Sequence, residues 1–183
     1  MNASNFFRHT HFRRAALASA VVVGALGAAS SFAADATSNS TATVLTPITI
    51  ETAQHLTFGS FAASGTPGTV TVATNGDRSF TGGALNSTVN GASTAAHFTV
   101  TGEGESNYSI SWSENNTLTS GENSMALTLI SALTPSAATS GEVTSGTLSA
   151  GTQTIYLGGT LTVSASQAAG SYAGDVTATV EYN

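Results

Sequence analysis

The stretch AAGSYAGDVTATVEYN, residues 168–183, decides the fold. Counting back in twos from Tyr182 gives Val180, Ala178, Val176, Gly174, Tyr172 and Gly170, every one apolar or glycine. Asp175, Thr177, Thr179 and Glu181 stand between them. Side chains of a strand alternate between the two faces of a sheet, so this register puts an apolar set on one face and a polar set on the other. Loose termini fray, so a strand reaching residue 182 is expected to have a pairing partner. Two surroundings suit it. In one it is an ordinary strand that closes a sandwich. In the other it edges a groove, and its apolar face serves polymerisation or a chaperone.

The sequence upstream repeats the same alternation in short segments. Residues 42–51 align Ala42, Val44, Ile48 and Ile50 on one side, with Pro47 in the opposite register. Proline cannot donate to a ladder, so this segment is expected at a sheet edge or broken at Pro47. Residues 54–61 are read as a second strand with Leu56 and Phe58 on one face, and Thr66-Pro67-Gly68 as a turn. Residues 68–74 lead to Asn75-Gly76, the dipeptide favoured by a type I′ hairpin turn, and residues 78–81 return. Residues 82–94 read as loop and residues 96–101 as a strand. In residues 107–113, Tyr108, Ile110 and Trp112 alternate with serines and are expected in the core. Residues 125–133 are more continuously apolar and are expected to be a central strand, and residues 134–145 a loop. Strands over residues 146–157 and 160–165 are expected to join across Gly158-Gly159. Short strands with Gly, Asn and Pro between them predict an antiparallel all-β sandwich. A solenoid would show a fixed repeat period, and none is present.

Composition narrows the function. The chain has no cysteine and no lysine, and only 8% of its residues are charged, against roughly 25% in ordinary domains. Arg8, Arg13 and Arg14 precede an apolar run over residues 15–29 and a small-residue exit at Ser31-Phe32-Ala33, the layout of a secretory signal. The run is shorter than the roughly 20 residues a membrane span requires. The expected organisation is a signal peptide over residues 1–33, a polar leader over 34–41 and one sandwich domain over 42–183. The mature chain would keep Arg78 as its one fixed cation against ten acids, which excludes nucleic acid and argues against anionic membrane. No membrane insertion of the mature chain is expected. Exported without cysteine, it has to be stabilised by sheet pairing and apolar burial.

Catalysis finds no constellation. Cysteine and lysine nucleophiles are missing, and there is no G-x-S-x-G elbow. His55 and His97 each alternate with an apolar neighbour and are expected to face solvent. Two histidines without a third ligand make a poor zinc site, and Glu103 and Glu105 alone are too few for calcium, so an exposed acidic turn is expected there. No catalytic residue, metal or cofactor is assigned.

The segments ATVLTPITI, LTFGSF, VTVATNGDRSFTGG, AHFTVTGEGESNYSISW, GTLSAGTQTIYLGGTLTV and AAGSYAGDVTATVEYN resemble, in order and spacing, the bacterial domain-of-unknown-function family 4402 over about residues 41–183. More distantly, the tail is similar to pilin subunits of the chaperone–usher route, which carry a glycine fourteen places from the end and a penultimate aromatic. Gly170 and Tyr182 hold those places. That resemblance implies an incomplete immunoglobulin-like, pilin-like sandwich. Its missing strand would come first from a periplasmic chaperone and, past an usher, from another copy of the subunit. The strand facing that partner would present Gly170, Tyr172, Val176, Ala178, Val180 and Tyr182, and the donor or first strand would use Ala42, Val44, Ile48 and Ile50. The leader DATSNST departs from the apolar alternation of a donor. Two functions are expected: a non-enzymatic subunit of a surface fibre in the periplasm, at the cell surface or outside the cell, or a self-contained adhesion module.

Overall fold

In the computed structural model, which describes residues 33–183 except positions 88, 90 and 115, the described residues form ten strands and no helix. The expected signal segment lies outside the described residues but for Ala33. The strands are β1 (Thr49–Gln54), β2 (Phe61–Val72), β3 (Arg78–Asn86), β4 (Ala96–Thr101), β5 (Asn107–Trp112), β6 (Thr117–Ser120), β7 (Asn123–Ala132), β8 (Ser145–Thr147), β9 (Thr152–Val163) and β10 (Ala178–Tyr182). The chain divides into Met1–Ala42 and Thr43–Asn183. Within the first unit, residues 33–42 carry no strand and are exposed.

The long strand β9 is the axis of the larger sheet. One of its edges pairs with β4 over Thr152–Leu157 and then with β2 over Gly159–Val163. The opposite edge pairs with β7 over Tyr156–Leu161. Outside these lie β1 on β4, β3 on β2 and β6 on β7, and every pairing is antiparallel. The smaller sheet has the order β10-β5-β8. The inward residues of both sheets share one core, with Val100, Tyr108, Ile155, Leu157 and Leu161 at 0–1% exposure. Two antiparallel sheets on one core are the sandwich the strand pattern predicts.

Several local expectations are corrected. Gly158-Gly159 is the middle of β9 and no junction. It marks the handover from β4 to β2, where a Cβ on Gly158 would collide with the Val72 carbonyl oxygen and one on Gly159 would lie 2.7 Å from Leu127 Cδ1. Backbones approach too closely there for any side chain. The strand break lies earlier, at Ser149–Thr152, whose two main-chain hydrogen bonds of 3.0 and 3.1 Å close a two-residue hairpin. Its central residues Ala150 and Gly151 have φ of 49° and 80°, the positive pair a type I′ turn requires. At Asn75-Gly76 only glycine is left-handed, with φ 90°. The turn there spans three residues, with Ala73 and Asp77 paired around it and Asn75 Oδ1 accepting from the Asp77 N–H at 3.0 Å. Thr66-Pro67-Gly68 is a bulge inside β2, where the register with β3 shifts between Ala63 and Gly68. Residues 55–60 make no ladder beyond a single bridge from Thr57 to Thr94, although Leu56 and Phe58 still turn inward. The strand expected over residues 42–51 begins only at Thr49, beyond Pro47.

Candidate functional site: the gap between the two sheet edges

β1 pairs only with β4 and β10 only with β5, so among the described residues each strand has one free edge. These two edges face one another across the side of the sandwich. Tyr182, at the end of β10, meets Thr46, just ahead of β1. At the other end, residues 56–63 and residues 167–172 line one cleft. The segments therefore run antiparallel along a common gap.

The main-chain polarity of the β10 edge follows from its pairing. The Asn183 N–H donates to the Asn107 carbonyl at 3.2 Å, and the Ser113 N–H donates to the Thr177 carbonyl at 2.9 Å. Odd-numbered residues of this strand are thus bonded to β5. In an antiparallel pair the intervening residues direct N–H and C=O to the other side, so those of Ala178, Val180 and Tyr182 point to the free edge. Their side chains point inward. Tyr172, Val176, Val180 and Tyr182 pack against the core from one wall, and Ile48, Ile50 and Leu56 from the other, all only partly buried. Ala178 is also half-buried, whereas Gly170 is exposed, its α-carbon face turned to the Ser120 side chain. The two-residue register read from the sequence holds as a strand only over Ala178–Tyr182; residues 168–177, expected in the same strand, carry a single bridge from Ala173 to Thr119, although Tyr172 and Val176 still pack on the core.

Of the residues proposed for a donor or first strand, Ile50 lies in β1 and Ile48 just precedes it. Ala42 is exposed, and Val44 is 94% exposed. The structure thus separates this set: the two isoleucines rest on their own core, and the alanine and valine do not form part of it.

Each end of the gap has its own construction. At the Tyr182 end four hydrogen bonds make a latch. Tyr182 Oη accepts from the Glu103 N–H at 2.6 Å and donates to the Thr46 carbonyl at 2.8 Å. One carboxylate oxygen of Glu103 accepts from the Thr46 N–H at 3.0 Å and its hydroxyl at 2.7 Å. The Thr46 side-chain bond, then its backbone bond, holds the Glu103 carboxyl below its ordinary range. A Cβ on Gly102 would collide with the Tyr182 hydroxyl, so glycine is required for this approach. The acidic turn read as merely exposed is thus the anchor that fixes where the chain enters β1. Its neighbour Glu105 accepts from the Ala150 N–H at 2.8 Å.

At the other end lies a cleft of about 750 Å3. Leu56, Phe58, Leu118, Met125, Leu161 and Tyr172 contribute its apolar surface. Tyr172 Oη accepts from Gln167 Nε2 at 2.8 Å and donates to the Ala168 carbonyl at 2.8 Å, which holds the loop before β10 in shape. The facing wall is held by Arg78. Its guanidinium donates to the carbonyls of Phe58 at 2.6 Å and Ser60 at 3.2 Å and to Asn86 Oδ1 at 3.0 Å, and lies 4.9 Å over the Phe80 ring. Arg78, the one Lys or Arg among the described residues, is a brace for the irregular segment 55–60. Sequence reading missed this role, and the signal available was a single arginine in the stretch from residue 33 to residue 183.

The remaining candidates lie elsewhere. His55 is exposed, and His97 is half-buried with its ring 4.6 Å from that of Tyr156, edge to face. Trp112 is committed to structure: its Nε1–H donates to the Val143 carbonyl at 3.1 Å, and its ring lies 6.0 Å from Phe98.

A family model described as "Domain of unknown function (DUF4402)" matches residues 48–182, from just ahead of β1 to the last residue of β10. No curated protein and no solved structure matches the chain.

Proposed function

The chain belongs to the DUF4402 family, and we propose that it is a non-enzymatic structural subunit of an exported surface fibre, assembled by β-strand complementation. The observation that carries this reading is the gap between β1 and β10. Two edge strands lie side by side in different sheets, each with an unpaired edge, and the apolar side chains between them are only half-buried. Unpaired edges are ordinarily blunted by charge, proline or a covering segment because they recruit other strands. Here the inward residues of β10 are alanine, valine and tyrosine. An added strand would take up the outward N–H and C=O groups of Ala178, Val180 and Tyr182 and bury their side chains, which is strand addition at a sheet edge.

In this reading the sandwich is of the immunoglobulin-like, pilin-like kind. The strand is supplied first by a periplasmic chaperone and, past an usher, by the next copy of the subunit. Export rests on the basic and apolar segment over residues 8–33. The test is assembly of the full chain expressed with export intact, followed on gels after mild and strong heating in detergent. A ladder of multimers that collapses only on strong heating is expected. Deleting residues 35–43 is expected to leave export and the folded domain intact and abolish the ladder. A full mature chain that stays monomeric at every concentration would favour the self-contained adhesion module instead.

A further inference from the structure

On the side of β5 away from β10, β5 and β7 frame a second cleft, of about 680 Å3. We propose that it is a docking site for a short extended segment of another protein that carries lysine or arginine. The proposal goes beyond fibre assembly and does not rest on it. Two strand edges make the long walls. The Leu127 N–H donates to the Asn116 carbonyl at 2.8 Å and the Ser131 N–H to the Gly141 carbonyl at 2.9 Å, so odd-numbered residues of β7 direct their main-chain groups away from β9. Leu129 shares that parity, and its N–H and C=O meet no main-chain partner among the described residues, since β6 pairs β7 only as far as Ala126. On the facing wall the Ile110 N–H donates to the Thr144 carbonyl at 2.8 Å, and β8 pairs β5 only as far as Ser109. Trp112 shares the parity of Ile110, so its N–H and C=O point to the same side and are likewise without a main-chain partner among the described residues.

Both ends of the cleft are closed where the chain crosses between sheets. Ser113, Glu114 and Asn116 lie on one crossing, and Glu142 and Thr144 on the other. Each crossing therefore sets one exposed carboxylate at the rim, Glu114 and Glu142. Leu127 and Ser131, where the two crossings meet β7, are about 13 Å apart along the strand, which admits about three extended residues. The central residue of such a segment would pair with the open main chain of Leu129 or Trp112, as in strand addition. Basic side chains on either side of it would meet the two carboxylates, and that charge match selects the partner. A second copy of this chain does not meet the requirement. The sequence has no lysine, and its one arginine after residue 14 is Arg78, whose guanidinium is bound to the Phe58 and Ser60 carbonyls. The occupant is therefore a different protein.

Trp112 is the single tryptophan of the chain and lines the cleft, so its fluorescence reports on this site. The full mature chain is titrated with the tripeptide Lys-Val-Lys, blocked at both ends. A saturable change in Trp112 emission is expected, weakening as salt is raised, and Glu-Val-Glu is expected to give none. Changing both carboxylates, Glu114→Gln with Glu142→Gln, should weaken binding about tenfold. Both side chains are exposed, so the urea midpoint should stay where it is. Methylating the valine nitrogen of the peptide removes a main-chain donor and leaves its charge intact, and should also weaken binding. No saturable response to Lys-Val-Lys, or equal binding by the doubly altered chain, overturns the site. Equal binding of the methylated peptide overturns the strand-addition geometry.

Discussion

β9 and β10 carry the same kind of sequence and have different fates. Both alternate apolar and polar residues, and both turn the apolar set inward. In β9, Ile155, Leu157, Leu161 and Val163 are at most 1% exposed, because strands flank both edges and a second sheet covers the face. In β10, Ala178, Val180 and Tyr182 stay half-buried, because one edge has β5 and the other has nothing among the described residues. Alternation specifies which way a side chain points. How far it is buried depends on neighbours, and neighbours are a property of topology.

The sharpest way to break this contrast is to cut the same kind of group from each strand. Leu157→Ala should cost about 3 kcal/mol in urea unfolding, since its surroundings can relax only partly around the cavity. Val180→Ala should cost about 1 kcal/mol or less, because much of its surface is already in water. In the strand-complementation reading the order reverses for assembly: Val180→Ala should weaken multimers more than it weakens the subunit. Equal stability losses at the two positions would mean that β10 is as enclosed as β9 in solution, and the gap would lose its standing as a site.

The latch tests how firmly the open side is tied. Tyr182→Phe removes one hydroxyl that serves both the Glu103 N–H and the Thr46 carbonyl, and should cost about 1 kcal/mol in the same unfolding assay. Hydrogen exchange at the amides of Thr46 and Glu103 should quicken, with β9 unaffected. The carboxylate half of the latch responds to acid. Folding lowers the Glu103 pKa from 4.5 through its bonds from Thr46. A carboxyl with a depressed folded pKa stabilises above its unfolded value and loses that contribution as pH falls through the folded value. The protection factor of the Thr46 amide, its exchange rate relative to the unstructured rate at the same pH, should therefore fall below about pH 4.5. In Glu103→Gln that protection factor should not change with pH over that range.

Tyr108 sits between the two regions, inward from β5 and opposite Tyr182 in the register with β10. It is fully buried, its hydroxyl lies against Gly146 without a hydrogen-bond partner among the described residues, and burial raises its pKa. A buried donor without a partner costs about 1–3 kcal/mol. Tyr108→Phe should then raise unfolding stability, by about 1 kcal/mol once the lost packing of the oxygen is allowed for. A loss of stability would show that the hydroxyl finds a partner in solution, and the core beneath β10 would be wetter than that beneath β9.

Much of this was legible because period-two alternation survives wherever one face meets the core. Residues 96–101 and the alternation of Tyr108, Ile110 and Trp112 are found as read. Of the closing stretch, the register is a strand only over Ala178–Tyr182, and Gly170, expected on the inward face, is exposed. What sequence could not give was partnership. Ala42 and Val44 continue the alternation of Ile48 and Ile50, yet the ladder starts at Thr49, since pattern alone does not say where a partner strand begins. The glycine pair in β9 resembled punctuation, whereas it answers the close approach of Val72 and Thr128 backbones from two different edges. Glu103 was expected in an exposed turn and Arg78 was given no structural role, because the groups they bind, Thr46 for the one and the Phe58 and Ser60 carbonyls for the other, lie outside their own segments.

The smallest effect concerns the turn that carries the chain from the smaller sheet into β9. Sequence favours Asn75-Gly76 for a type I′ hairpin, but both left-handed residues occur at Ala150-Gly151. Alanine at φ 49° bears the Cβ penalty of the left-handed region, which asparagine tolerates better. Glu105 is bound to the Ala150 main chain, not its side chain, so nothing is lost in the exchange. Ala150→Asn should therefore stabilise the domain by about 0.5 kcal/mol, part of the one to two that a left-handed L-residue costs. The site touches neither the packed face of β9 nor the gap beside β10, and distant substitutions add. Placed behind Leu157→Ala and Val180→Ala, it should lift both by the same amount and leave the difference between them unchanged. If it narrows that difference, the two strands are coupled through the turn, and the open side of the sandwich is not energetically separate from the closed one.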